Sequence, residues 1–253
     1  MPRPAAGGCS LQDRPPAPVA RPYGRDRHMP VCRLTEELSF PDPELATPEG
    51  LLAVGGDLRP ERLILAYRLG IFPWFGPGYP ILWWSPPRRC VLEPSRFHVS
   101  RSLRRALEHG RFTITFDRAF SGVIRACAAT RIERGEETWI TPEMIEAYCA
   151  LRELGLAHCA EAWHGRDLVG GIYGVSLGGA FFGESMFSRV PDASKAAFAT
   201  LAARLAKWKF RLIDCQLTSP HLLRLGAQEI SRAEFRRRLA AALELPTRKG
   251  AWR

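Results

Sequence analysis

GGIYGVSLGGAFFGESMFSRVPDASKAAFATLAARLAKWKFRLIDCQ, running from Gly170 to Gln216, decides how the chain folds. Two apolar, glycine-rich runs read as adjoining strands, and a carboxylate, Glu184, stands where the second run ends. From about Asp192 to Lys209 the apolar positions Phe198, Leu201, Leu205 and Trp208 recur at helical spacing. The last seven residues, FRLIDCQ, read as a strand. Its alternation puts Leu212, Asp214 and Gln216 on one face and Ile213, Cys215 and Leu217 on the other. An acid and an amide inside an apolar strand are costly to bury without partners. Two readings follow: a structural carboxylate satisfied by a neighbouring loop, or a polar floor made by Glu184, Asp214 and Gln216 in an apolar pocket. The second is the anatomy of a substrate site.

Outward from this stretch, the pattern alternates between elements. FTITF, residues 112–116, alternates as a strand, and Asp117 stands where it would cap the helix that follows. Thr141 and Pro142 form an N-cap and first-turn pair for a helix over 143–154 that Gly155 stops. AHCAEAW, LVGGIYG and LGGAFFG read as an antiparallel series, and Ser231 with Glu234 forms a capping box. Strands and helices in this order predict a mixed α/β fold of α+β type, with helices covering a largely antiparallel sheet.

The ends differ in texture. Residues 1–30 are rich in Pro, Arg, Ala and Gly and read as a disordered extension. A small domain is expected over 31–97, with a short helix over 58–69 ended by Gly70 and with Trp74, Trp83 and Trp84 crowded among prolines. The main domain is expected over 98–245, and 246–253 is a C-terminal tail. Around FHVSRSLRRALEHG a helix begins near Ser100, with Arg101, Arg104 and Arg105 on nearly one face, able to grip phosphate or simply solvated.

Composition narrows the function. A hydrophobic share of 46% and a charged share of 25% are those of a globular protein. No apolar run reaches the ~20 residues a membrane span needs. Seven cysteines without a CxxC pair argue against a disulfide framework or zinc site and fit a reducing, cytoplasmic setting. The formal charge of +10 suggests a polyanionic partner. Gly174 to Gly178 matches GxSxG, but another strand follows where a hydrolase needs a helix. No P-loop is present, the six histidines are scattered, and no metal or cofactor is expected. Cys215 has no base beside it and reads as an inert thiol.

Several blocks in order resemble one family. GLLAVGGDL (50–58), GIFPWF (70–75), ILWWSPPRR (81–89), FHVSRSLRR (97–105), ETWIT (137–141), GGIYGVSLGGAFFGESMFSR (170–189), ASKAAF (193–198) and LIDCQLTSPHLLRLGA (212–227) are similar to the leucyl/phenylalanyl-tRNA–protein transferases. The resemblance implies transfer of Leu or Phe, less readily Met, from aminoacyl-tRNA to proteins beginning with Arg or Lys, a step of the N-degron pathway. It implies a GNAT-like acyltransferase domain that uses tRNA in place of coenzyme A, a small N-terminal domain, a cytoplasmic location and a monomer. It also implies roles for residues. Asp214 and Gln216 would be catalytic, with Glu184 beside them; on chemical grounds Asp214 orients Gln216 or takes the proton itself, while Gln216 positions the amine. Ile172, Phe181, Met186, Phe198, Leu201 and Leu205 would hold the aminoacyl side chain. Trp74 and Trp139 would meet the tRNA 3′ end, with Arg101, Arg104 and Arg105 on its stem. The rival readings are an acetyl-CoA-dependent N-acetyltransferase and a non-catalytic RNA-binding module.

Overall fold

The computed structural model describes residues 31–252, so the extension expected over 1–30 lies outside the described residues. In chain order the elements are β1 (Cys32–Leu34), β2 (Leu51–Gly55), α1 (Pro60–Leu69), β3 (Phe72–Pro73), β4 (Leu82–Trp84), β5 (Arg88–Leu92), α2 (Arg101–Glu108), β6 (Thr113–Phe116) and α3 (Phe120–Glu133). There follow α4 (Pro142–Glu153), β7 (Ala157–His164), β8 (Asp167–Leu177), β9 (Ala180–Ser188), α5 (Ala193–Lys207), β10 (Leu212–Gln216), α6 (Pro220–Arg224), β11 (Gln228–Ser231) and α7 (Arg232–Leu243).

Two mixed sheets form. The smaller has strand order β1-β2-β4-β3, the larger β11-β5-β10-β9-β8-β7-β6. Residues 85–87 carry the chain from one to the other, so β5, within the 31–97 segment, is a strand of the larger sheet. In the larger sheet β9 and β10 run parallel and the other pairs run antiparallel.

Each face of the larger sheet has its own core. One is shared with the smaller sheet and with α1, α3, α4 and α7, and contains Tyr67, Trp83, Tyr148, Phe182 and Phe235. The other lies beneath α5 and α2 and contains Leu103, Phe181, Phe198, Leu201 and Leu205. The glycines of β8 belong to this packing. A Cβ on Gly170 would stand 2.6 Å from that of Ala193, so the bare backbone lets α5 start close to the sheet. One on Gly174 would meet the Phe181 ring at 2.7 Å.

The boundary chemistry follows the sequence in most places. Ser100 and Thr141 accept the Leu103 and Met144 amides that cap α2 and α4, and Gly70 closes α1 in a left-handed conformation, φ 78°. Two local expectations are corrected. Asp117 is buried at φ 58° and does not cap α3, whose N-cap Ala119 receives no side-chain bond; Glu161 accepts the Arg118 and Ala119 amides just before the helix. Ser231 accepts the Glu234 amide, but the Glu234 carboxylate turns to Arg237 and Arg238, so only half the capping box forms. Asp117 instead ties in the C-terminal tail: it accepts the Trp252 amide and His158 Nδ1, and the Trp252 ring stacks on His158.

Candidate active site

Glu184 sits in β9 where the register with β8 slips. Ser185 pairs with Tyr173 and Gly183 with Gly174, which leaves Glu184 as the extra residue of a bulge. Its side chain enters the core shared by the two sheets. Tyr67 of α1 donates to Oε1 at 2.8 Å, and Tyr148 of α4 donates to Oε2 at 2.8 Å. The Gln216 amide Nε2, at the end of β10, donates to Oε1, also at 2.8 Å. Four elements therefore converge on one carboxyl. Burial pushes its pKa up to about 7; the bonds from Tyr67, Tyr148 and Gln216 oppose that shift, and the Asp214 charge adds to it. The two phenol oxygens also contact each other.

Asp214 lies next in β10, wholly buried, and its surroundings are of the opposite kind. Arg89 of β5, 1% exposed, grips it with two parallel bonds, Nε to Oδ1 at 2.8 Å and Nη2 to Oδ2 at 2.7 Å. The guanidinium lies between the rings of Phe72 from β3 and Phe235 from α7, 4.7 and 4.4 Å from their centroids. Asp214 Oδ1 also accepts the Gln216 backbone amide at 2.9 Å. That bond spans a second irregularity. The register with β5 passes from Asp214–Val91 to Gln216–Cys90, and Gln216 adopts φ 59°, a left-handed conformation uncommon outside glycine. Strand alternation therefore holds from Leu212 to Cys215 and then breaks at the residue that reaches Glu184.

Backbone pairing between β9 and β10 runs from Leu212–Ala180 to Asp214–Phe182, whereas β9 continues to Ser188. The Gln216–Glu184 bond bridges the two strands where their ladder has ended. Glu184, Asp214 and Gln216 are thus brought together at one place, as the sequence expects.

The six residues expected around the aminoacyl side chain also gather, but on the other face of the sheet. Ile172, Phe181, Phe198, Leu201 and Leu205 are each at most 2% exposed within the core beneath α5, and Met186 packs against it. Trp74 and Trp139 meet edge to face at 6.4 Å, Trp84 packs against Trp74, and the Arg131 guanidinium covers Trp139 at 4.1 Å. Both Trp74 and Trp139 are half-buried, whereas Trp83 is fully enclosed and donates to the Gly55 carbonyl. Arg101, Arg104 and Arg105 are exposed along α2, on the α5 side of the molecule. Ser176 is buried within β8.

Comparison with known proteins decides the family. The family model described as leucyl/phenylalanyl-tRNA protein transferase matches residues 91–240, and the model of that family's N-terminal domain matches residues 56–87. A leucyl/phenylalanyl-tRNA–protein transferase of Anaeromyxobacter sp. (strain Fw109-5) is 60% identical over 224 residues, 88% of this chain and 95% of the relative. One from Desulfatibacillum aliphaticivorans is 56% identical over 88% of this chain and 96% of its own. The chain belongs to the leucyl/phenylalanyl-tRNA–protein transferase family. Among solved structures it resembles the C-terminal domain of a putative lysylphosphatidylglycerol synthetase from Agrobacterium fabrum, with a TM-score of 0.39 and 10% identity over 66% of this chain and 54% of that one.

In this transferase-family chain the polar centre has more members than its sequence discloses. Tyr67, Tyr148 and Arg89 were not foreseen. Tyr67 fills an apolar position of the helical repeat in α1, so periodicity hides its hydroxyl. Arg89 did carry a signal, a cation followed directly by the apolar run CVL in a chain already expected to bury Asp214.

Proposed function

We propose that this protein transfers leucine or phenylalanine, and less readily methionine, from aminoacyl-tRNA to the α-amine of proteins beginning with Arg or Lys. Family membership supports the aminoacyl transfer, and the resemblance stated above supports the choice of acceptor. The observation that carries the reading is the Gln216–Glu184 bridge at the parting of β9 and β10, inside the family-matched segment. A parallel pair that separates within an otherwise antiparallel sheet leaves backbone donors and acceptors to hold an acyl donor. This supports a GNAT-like acyltransferase domain in which tRNA takes the place of coenzyme A. A cytoplasmic monomer is the setting this reading assumes.

The chemistry needs little beyond alignment and one proton acceptor. The acceptor amine attacks the ester carbonyl carbon, the C–N bond forms, and the bond to the ribose oxygen of the terminal adenosine breaks. One proton leaves the nitrogen and one reaches the departing oxygen. Alignment supplies roughly 7–11 kcal/mol of such a barrier. Glu184 is the proton acceptor we assign, because a carboxyl near pH 7 is matched to an α-amine whose ordinary pKa is near ~8. Gln216 Nε2 is committed to Glu184, which leaves its carbonyl oxygen to accept from the incoming amine. Asp214 has both oxygens engaged and its charge countered by Arg89, and its role in this reading is to orient Gln216.

The apolar layer of Ile172, Phe181, Met186, Phe198, Leu201 and Leu205, beneath α5, is our candidate for the aminoacyl side chain. Trp74 and Trp139, with Arg131 over the latter, form a stacking surface suited to the tRNA 3′ end. The test is incubation with radiolabelled Leu-tRNA and peptides differing in their first residue. Label on peptides beginning with Arg or Lys, and none on an N-acetylated control, is the expected result. No transfer to any free N-terminus overturns the reading.

A further inference from the structure

We infer that Arg89 is a positioning residue for the transfer reaction, acting through Asp214 to hold the left-handed turn at Gln216. The inference rests on the reading of Gln216 given above and adds to it the device that fixes its geometry.

A residue at φ 59° other than glycine persists only where its surroundings over-determine it. Two bonds do so for Gln216: its backbone amide to Asp214 Oδ1, and its side-chain amide to Glu184 Oε1. The first depends on where the Asp214 carboxylate points, and that is set by the Arg89 fork. Nε and Nη2 bond one oxygen each in parallel, which fixes both the position and the plane of the carboxylate. The fork is itself held from two sides. Phe72 belongs to the smaller sheet and Phe235 to the C-terminal helix α7, and the guanidinium lies between their rings. Arg89 thus transmits the seating of two elements that are remote in sequence to one backbone turn beside Glu184.

Burial alone does not call for this pair. A buried ion pair replaced by well-packed apolar side chains of similar volume often leaves stability unchanged or improved. Lysine at position 89 would keep the charge but lose the planar fork and the stacking between the rings. The Asp214 carboxylate would then be free to rotate, and the Gln216 amide would lose its acceptor.

Three variants test this in the full-length protein, read by steady-state transfer with Leu-tRNA and by thermal melting: Arg89→Lys, Gln216→Ala, and both combined. Arg89→Lys is expected to lower kcat at least tenfold with less than a twofold change in KM for Leu-tRNA. Added to Gln216→Ala, it is expected to cost less than twofold more, because the two act as one unit. A merely stabilising Arg89 would lower melting and leave kcat per folded molecule near normal, or give additive losses; either result overturns the positioning role. The paired variant Arg89→Met with Asp214→Leu gives an independent reading. Inactivity at a melting temperature near that of the parent supports the inference, and near-normal transfer overturns it. Should that pair not fold, the Arg89→Lys cycle decides. A fully active Gln216→Ala would sink the assignment of Gln216 and the positioning role with it. A slow Gln216→Ala beside a normal Arg89→Lys sinks the latter alone.

Discussion

Glu184 and Asp214 are both buried carboxyls in strands that touch, yet their partners differ. Asp214 has a guanidinium across both oxygens, whereas Glu184 has only neutral donors and is pushed to about 7 from 4.5. Below pH 4.5 the Glu184 carboxyl is protonated whether the chain is folded or not. Between 4.5 and 7 the folded chain keeps a proton that the unfolded chain has released, so stability falls as pH rises through this window. The loss approaches about 3 kcal/mol above pH 7. Glu184→Gln cannot titrate and should lack that decline. Urea unfolding of parent and variant at pH 5 and pH 8 should therefore show their stability difference shifting by about 2.5 kcal/mol in the variant's favour at the higher pH. The transfer rate should rise with pH through about 7 in the parent, and the variant should lose that limb. Parallel stability curves would show that Glu184 titrates at an ordinary value. Glu184, Asp214 and Gln216 were legible beforehand because polar groups stand out in apolar strands. Tyr67 and Tyr148 were not, since a tyrosine satisfies a helix's apolar face and shows its hydroxyl only once a partner is seen.

At the scale of elements, the sequence discloses strands, helices and caps but not the places where strands slip. The bulge that frees Glu184 and the turn that bends Gln216 each arise from pairing between segments far apart, and alternation within one strand cannot register that. The C-terminal tail is a second case. Nothing in TRKGAW announces burial, yet Thr247 accepts the Gly178 amide, Gly250 donates to the Gly155 carbonyl, and Trp252 is 2% exposed among His158, Trp208 and Phe210. His158, whose pKa burial lowers, stacks on this ring. Truncating a buried aromatic costs about 3–5 kcal/mol, since the lost transfer energy is joined by a cavity. Trp252→Ala should therefore lower chemical stability by about that much while kcat per folded molecule stays within twofold. A change below about 1 kcal/mol would mean that the tail is not seated as described.

Across the whole molecule the two faces of the larger sheet differ in character. The polar centre with Arg89, Tyr67 and Tyr148 lies on the face shared with the smaller sheet, while the apolar layer beneath α5 lies on the other, and α2 carries its arginines on that second side. A tRNA that presents its 3′ end to Trp74 and Trp139 while its stem meets α2 has to reach around from one side to the other, and electrostatics is the means to hold it there. The net charge of +10 does not say where a polyanion sits, because charge is a property of the total; Arg101, Arg104 and Arg105, exposed on one helix, are the footprint to be tested. Each phosphate neutralised on duplex nucleic acid adds about 0.9 to the slope of log affinity against log salt. Replacing all three arginines by alanine should weaken Leu-tRNA binding and reduce that slope by about 2 to 3, measured by filter binding between 50 and 200 mM salt, round settings for the range over which the effect is large. Melting should shift little, since exposed substitutions of this kind change stability by about 0.5 kcal/mol or less. An unchanged slope with weakened binding would place the stem elsewhere and leave α2 a solvated helix, whereas a reduced slope with kcat intact would separate the holding of tRNA from the chemistry at Glu184.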